Sequence, residues 1–409
     1  MLTGMSRTTI TDSQLTELRA HISSGMPDYL ADLKRLVNID CGSYNKPGVD
    51  EVGRWVATQL RELGASVEVV ANETLGDTLV CVLEGSGDRN ALLIGHLDTV
   101  FPDGTVAERP FRIDSGRAYG PGVDDMKGGL LSGLYTLRAL RSARGGGAPP
   151  DWLPYARLTF VANSDEELGS PSSTPIIERV AAGADVALVL ESARANGDIV
   201  SARKGIADFR LTVTGRAAHA GVEPEQGRSA TLEAAHKTLA LHALNGRWPG
   251  VTVNVGVLRG GTRPNVVAET CSLEVDLRAT SVADMEAAES AIREIALSAT
   301  VADTTCAIER VHHWAPMEKT PAIAALADLA ISLAGRIGFS LRDAATGGAS
   351  DANTTSGMGV PSLDGLGPVG GADHAPGEYL EIESIVPRTT LFAALLLEAA
   401  EPEADFPSA

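Results

Sequence analysis

Acids and histidines cluster in five short, mostly glycine-flanked segments of the chain. They are Gly95-His96-Leu97-Asp98, Gly122-Val123-Asp124-Asp125-Met126-Lys127-Gly128, Asp165-Glu166-Glu167, Glu191, and Asp373-His374-Ala375-Pro376-Gly377-Glu378. Each has an ordinary reading: a loop histidine, an Asp pair favoured at a helix N-terminus, a solvated acidic turn. Together they supply two imidazoles and several carboxylates, the donor set of borderline and hard divalent cations. Two metals sharing one carboxylate, roughly 3.5–4 Å apart, make a hydrolytic site. Asp98, two residues beyond His96, is spaced to orient that imidazole. Of the adjacent glutamates, one can coordinate metal while the other takes a proton from water. Glu191 closes a wholly apolar run, where a carboxylate is costly unless paired or metal-bound.

The elements around these segments alternate between two periodicities. Helical patterns at Tyr29–Leu36, Val52–Leu63 and Leu130–Arg141 interleave with strand-like runs at Ser66–Val70, Leu79–Leu83, Ala91–Ile94, Leu158–Val161 and Val186–Leu190. That alternation predicts an α/β layer with a mostly parallel central sheet, and several of the acidic segments follow strand ends, where open α/β sheets bind ligands. From Asp208 the order becomes β-α-β-β-α-β: Phe209–Thr214, Ser229–Leu244, Val251–Leu258, Ala268–Arg278, Ala283–Leu297 and Cys306–His313. This is a ferredoxin-like unit able to bury its own core. After Pro316 the first style returns, with a helix near Ile323–Gly335, a strand near Val360–Leu366 and an apolar helix from Ile382. We therefore expect a discontinuous catalytic domain (1–203 and 316–409) and an inserted domain (204–315).

Composition narrows the partners. Of 409 residues, 44% are hydrophobic and 21% charged, the profile of a globular protein. The net charge of −19 repels phosphate backbones and anionic lipid, so neither nucleic acid nor membrane is expected as a partner. No run approaches the ~20 apolar residues of a membrane span, and Met1–His21 lacks the basic and apolar regions of a secretory signal. Cys41, Cys81, Cys271 and Cys306 form no C-x-x-C pair, which fits a reduced cytoplasm.

As an ordered set, H-L-D-T-V, G-P-G-V-D-D-M-K-G-G, D-E-E-L-G-S, L-E-S and D-H-A-P-G-E-Y resemble the co-catalytic zinc peptidase and deacylase family that includes carboxypeptidase G, acetylornithine deacetylase, succinyl-diaminopimelate desuccinylase and aminoacylase. The likeness spans nearly the whole chain. It implies a zinc-peptidase-like catalytic domain with an inserted lid and dimerisation domain, and two Zn2+ per chain, for which Co2+ could substitute. It makes His96, Asp125 and Glu191 the ligands of one ion, and Asp125, Glu167 and His374 those of the other. Asp125 is taken over Asp124 because the bridging acid directly precedes the Met-Lys pair, and a cis peptide bond is implied after it. Glu166 would be the general base and Asp98 the support of His96. In Gly215-Arg216-Ala217-Ala218-His219-Ala220-Gly221, His219 would stabilise the oxyanion from across a homodimer interface. Asn265 and Arg278 would bind the carbonyl region and free carboxylate of a small peptide or N-acyl amino acid, and Gly347-Gly348 would wall the pocket.

Lys204-Gly205-Ile206-Ala207 and the lid segment resemble most the glutamate carboxypeptidase branch, although Ala193–Ser201 differs from it and offers Arg194 instead of a lysine. Whether Arg194, Arg203 and Lys204 read an acidic side chain stays open. The expected activity is a carboxypeptidase-like hydrolase that releases a C-terminal amino acid. Its rivals are an N-acyl amino acid deacylase and, more remotely, a non-catalytic binding protein on the same fold. Gly365-Leu366-Gly367-Pro368-Val369-Gly370 satisfies G-x-G-x-x-G, but Gly371-Ala372-Asp373-His374 follows instead of a helix, which argues against a dinucleotide site.

Overall fold

The computed structural model describes residues 9–401; residues 1–8 and 402–409, the outer ends of the expected catalytic domain and of the stretch searched for a signal, lie outside the described residues. The chain divides into two compact units. One comprises Met1–Ser201, Lys319–Ala345 and Ser350–Ala409, and the other comprises Ala202–Glu318 with Thr346–Ala349.

The first unit is built on a six-stranded sheet, in the order Ser66–Val70, Thr78–Glu84, Arg157–Asn163, Asn90–His96, Val186–Val189 and Ser362–Leu363. The last three pairings are parallel and the first two antiparallel, so the sheet is mixed, with its parallel half beneath the acidic loops. Strands Asn90–His96 and Val186–Val189 are buried almost residue by residue, as expected where both faces of a parallel strand are covered. Helix Gly129–Ala143 packs on this half at very short range. A Cβ on Gly129 would lie 1.8 Å from the carbonyl oxygen of Leu190, so glycine is required at that crossing. Helices Asp12–Ser24, Gly129–Ala143, Pro321–Ile337 and Ile382–Glu398 pack together around one large apolar core. A small antiparallel sheet joins Arg112–Asp114 and Arg117–Tyr119 to Gly370–Gly371 and Tyr379–Glu381. Among the described residues no helix is long and apolar enough to cross a membrane.

The second unit is a four-stranded antiparallel sheet ordered Thr252–Gly260, Thr270–Ala279, Gly205–Thr214, Thr305–Trp314. Helices Ala230–His242 and Val282–Leu297 pack on it over a separate core. Order and direction match the ferredoxin-like pattern. A buried ion pair within the first of these helices bonds to the end of the second and the loop after it. Glu233 accepts from the backbone N–H of Thr300 (2.9 Å) and Val301 (2.6 Å), and Lys237 Nζ lies 2.9 Å from its other oxygen. Lys237 also donates to the carbonyls of Ile295 and Ser298. Burial opposes ionisation of Glu233, but Val301, Lys237 and Thr300 together hold its pKa below the usual 4.5.

Candidate metal centre

Strand Asn90–His96 ends by delivering His96, 1% exposed, to the top of the sheet. Its Nδ1 lies 3.0 Å from the carbonyl oxygen of Asp98, which can only accept, so Nδ1 carries a proton. Nε2 therefore faces outward, 2.9 Å from Asp125 Oδ1 and 3.8 Å from Glu191 Oε1. Burial disfavours the imidazolium, yet Asp125, Asp98 and Glu191 hold the His96 pKa well above its ordinary value.

Asp125 lies in the tight turn Val123–Gly128, and its peptide bond to Met126 is cis. Glu378, 1% exposed, accepts from the N–H groups of Gly122 (2.8 Å), Asp124 (2.8 Å) and Asp125 (3.1 Å), fixing that turn. Burial pushes the Glu378 pKa up to about 7 against those donors. While Asp125 Oδ1 faces His96, its Oδ2 lies 3.1 Å from His374 Nε2. Burial opposes ionisation of Asp125, but the two histidines draw its pKa below the usual range. Asp124 faces Asp373 instead; burial, then the Asp373 charge, raises its pKa well above the carboxylate range.

Strand Arg157–Asn163 runs into the turn that carries Glu166 and Glu167. Glu167 Oε2 lies 3.1 Å from His374 Nε2, so His374 stands between Glu167 and Asp125. Hydrogen bonds to Asp125 and Glu167 push the His374 pKa up to about 10. Both Ala372 (φ 59°) and His374 (φ 61°) adopt left-handed backbone angles, uncommon for side-chain-bearing residues and frequent at functional sites. Burial, then the negative charge of Glu191, raises the Glu166 pKa well above 4.5. The turn itself is held by Asp98, which accepts from the N–H of Glu166 (3.2 Å), the N–H of Glu167 (3.3 Å) and Ser43 Oγ (2.7 Å).

The described residues thus contain two groups with donor atoms within 4.8 Å of one another: His96, Asp125 and Glu191, and Asp125, Glu167 and His374. Asp125 is common to both. A buried imidazole nitrogen aimed only at carboxylates, and like charges that raise one another's pKa, are features a divalent cation would relieve. The donor set fits zinc-type ions.

Within the second unit, His219 is exposed, and Gly221 N–H donates to its Nδ1 at 3.1 Å, leaving Nε2 to carry the proton of the neutral ring. Its segment bridges to Val266, next to Asn265, and Ala220 N–H donates to the Asn265 carbonyl at 3.0 Å. Arg278 bonds to the Asp276 carboxylate (3.2 Å) and the Gly347 carbonyl (2.9 Å), and Arg203 bonds to the Gly348 carbonyl (3.0 Å).

Sequence reasoning assigned no role to four residues that brace the segments carrying these groups. Ser43 and Glu378 are described above. Asp351 accepts from Asn163 Nδ2 (2.7 Å) and Ser170 Oγ (2.6 Å), and burial lifts its pKa to about 6. Asp165, first of the three acids, accepts from Ser172 N–H (2.7 Å) and from the hydroxyls of Ser172 and Ser173, so it braces the loop. One of the four, Glu378, ends a segment already notable for its acids and glycine.

Residues 92–398 match the description "Peptidase family M20/M25/M40". The chain is 29% identical over 377 residues to carboxypeptidase G2 of Pseudomonas sp. (strain RS-16), covering 91% of this chain and 89% of that one. It is 30% identical over 280 residues to an acetylornithine deacetylase of Myxococcus xanthus, covering 63% and 68% respectively. Its fold is similar to that of the aminopeptidase PepT of Bacillus cereus, with a TM-score of 0.74, 23% identity, and coverage of 92% of this chain and 99% of that one.

Proposed function

The chain belongs to peptidase family M20/M25/M40 and is a hydrolase of peptide or amide bonds, and on that premise we propose that it is a two-zinc carboxypeptidase-like enzyme. Its substrate would be a small peptide or N-acyl conjugate, from which it releases an amino acid bearing a free carboxylate. The observation that carries this reading is Asp125, whose two oxygens each face a different histidine. His96, Asp125 and Glu191 would hold one ion; Asp125, Glu167 and His374 would hold the other.

Bound there, the ions would supply Lewis acidity, polarising the scissile carbonyl and making water more acidic near neutral pH. Glu166, in neither ligand group, would take a proton from water as its oxygen bonds to the carbonyl carbon. The same carboxyl would give that proton to the leaving nitrogen as the C–N bond breaks, yielding one carboxylic acid and one amine. Asp98 would keep His96 oriented. Arg278 and Asn265 would bind the substrate's carboxylate and carbonyl region beside Gly347 and Gly348, and the Nε2 proton of His219 would reach the oxyanion.

In this reading His219 serves a partner subunit. Support comes from the two edge strands of the second sheet, Thr252–Gly260 and Thr305–Trp314, each with one side unpaired in its sheet. Refolding a mixture of inactive Glu166→Gln and His219→Ala homodimers should restore about a quarter of wild-type activity, because half the random dimers are hybrids with one intact site. Verified hybrids without activity would exclude the role in trans. Cytoplasmic residence belongs to the same reading and is supported by four free cysteines.

A deacylase is the second reading, favoured by the likeness to acetylornithine deacetylase. The decisive experiment is turnover of C-terminal-glutamate peptides against acetylated and succinylated amino acids, with zinc or cobalt supplied. Two equivalents of bound metal with release of amino acid are expected. Full activity in chelator, or less than one equivalent after reconstitution, would overturn the proposal.

A further inference from the structure

A cavity of about 560 Å³ in the first unit has Glu167 in its wall. Leu168 beside it belongs to the same wall, and the others come from the loop after Cys41 and the loop that continues past Asp98, which present Tyr44, Val100, Phe101 and Asp103. Tyr44 is 80% and Val100 39% exposed, so the apolar part of the wall is open to a ligand.

The walls are preformed. Thr99 N–H donates to the Cys41 carbonyl (3.0 Å), Ser43 N–H to the Thr99 carbonyl (3.2 Å), and Asn45 Nδ2 to Asp103 Oδ1 (2.7 Å). A Cβ on Gly42 would lie 2.3 Å from the Phe101 carbonyl oxygen, so the loops meet at a contact only glycine permits. Through Ser43 and Asp98 the same loop is hydrogen-bonded to the turn that carries Glu166 and Glu167.

Charge decides what the cavity can take. Among the described residues no lysine or arginine lines it, while Asp103 and Glu167 do. Arg109, whose guanidinium lies 4.9 Å from the centre of the Phe101 ring, is not in the lining. With Glu167 committed to a metal in the reading above, an anionic group would enter beside Asp103 and find no lysine or arginine to pair it. That disfavours the amino-acid half of the substrate, whose free carboxylate needs a partner such as Arg278. It equally disfavours an acidic acyl chain, and an acetyl group would leave most of the volume to water.

We infer that this cavity is the subsite for the acyl side of the scissile bond, and that it selects an uncharged, bulky apolar acyl group. The inference rests on the amide-hydrolase reading above. Tyr44, Val100 and Leu168 are then the residues that set acyl preference, and Glu167 marks the end at which the carbonyl sits.

The test is steady-state kinetics on N-phenylacetyl, N-acetyl, N-succinyl and N-glycyl derivatives of one amino acid, with the zinc-loaded full chain. The phenylacetyl compound should lead in kcat/KM by about tenfold or more, the scale at which an apolar pocket discriminates. Tyr44→Ala should lower kcat/KM for phenylacetyl about tenfold more than for acetyl, chiefly through KM. Val100→Arg should raise the succinyl-to-phenylacetyl ratio about tenfold, a gain that misfolding cannot produce. If acetyl, succinyl or the cationic glycyl compound leads, or if both variants lower every substrate alike, the subsite is wrong while the hydrolase stands. If the loaded enzyme turns over no amide at all, the functional reading itself falls and takes this inference with it.

Discussion

Each unit buries a cluster of charge, and the two clusters are built on opposite principles. In the second unit Glu233 meets a lysine and two backbone N–H groups, and Lys237 meets two carbonyls besides. In the first unit Asp125, Glu166, Glu167 and Glu191 crowd two histidines, and burial together with mutual repulsion raises the Glu166 pKa. A charge cluster completed by its own chain is a fastener. One whose donors converge without completing each other is a receptor for something positive. Both are largely buried, His374 being the exposed member; balance separates them.

The contrast breaks most readily on metal removal. Chelation should abolish hydrolysis and lower amide-exchange protection at Gly122, Asp124 and Asp125, whose N–H groups bond to Glu378, while leaving Thr300 and Val301 protected. Zinc should restore both; equal loss of protection in the two regions would mean that the clusters are not distinct. Next, Glu166→Gln should retain metal yet lower kcat by about 10²–10⁴, whereas Glu167→Gln should lose an ion by elemental analysis. Exchanged phenotypes would reassign the pair.

On the other side, Lys237→Met strands a buried carboxylate and should cost about 3–5 kcal/mol in denaturant unfolding. Lys237→Met combined with Glu233→Leu should recover much of that, and neither change should alter metal content. A smaller effect is expected from Ser43→Ala, which removes a support of Asp98 and should weaken metal affinity or activity about tenfold. Smallest is the acid limb of stability. The folded pKa of Glu233 lies below its usual 4.5, so its contribution is complete above that value and disappears as pH falls through the folded pKa. Glu233→Gln should flatten that limb in acid titrations followed by circular dichroism.

The ligand-type residues were legible because each stands at a strand end or in a glycine-rich turn, where local spacing carries the signal. The supports were not, because Ser43 reaches Asp98 across 55 positions and Glu378 reaches Gly122 across 256. No periodicity encodes such pairings. Most helices and strands of both sheets were readable from their apolar periods. Helix Asp12–Ser24 was overlooked although Thr11 and Gln14 form a capping box, a pattern visible in the sequence. The small sheet was missed because strands of two or three residues, at Gly370–Gly371 and Tyr379–Glu381, have no period to read.

The Glu378 clamp has a consequence for how the enzyme comes into being. The turn that presents Asp125 is pinned by a carboxylate from much later in the chain, and His374 arrives with the same loop. During synthesis, residues 92–191 could therefore fold their strands while the proposed ligand set still lacks its last histidine and its brace. The centre proposed above would then be assembled only once this loop is made, so a nascent or truncated chain that stops before it would carry the acids without His374 and without the Glu378 brace.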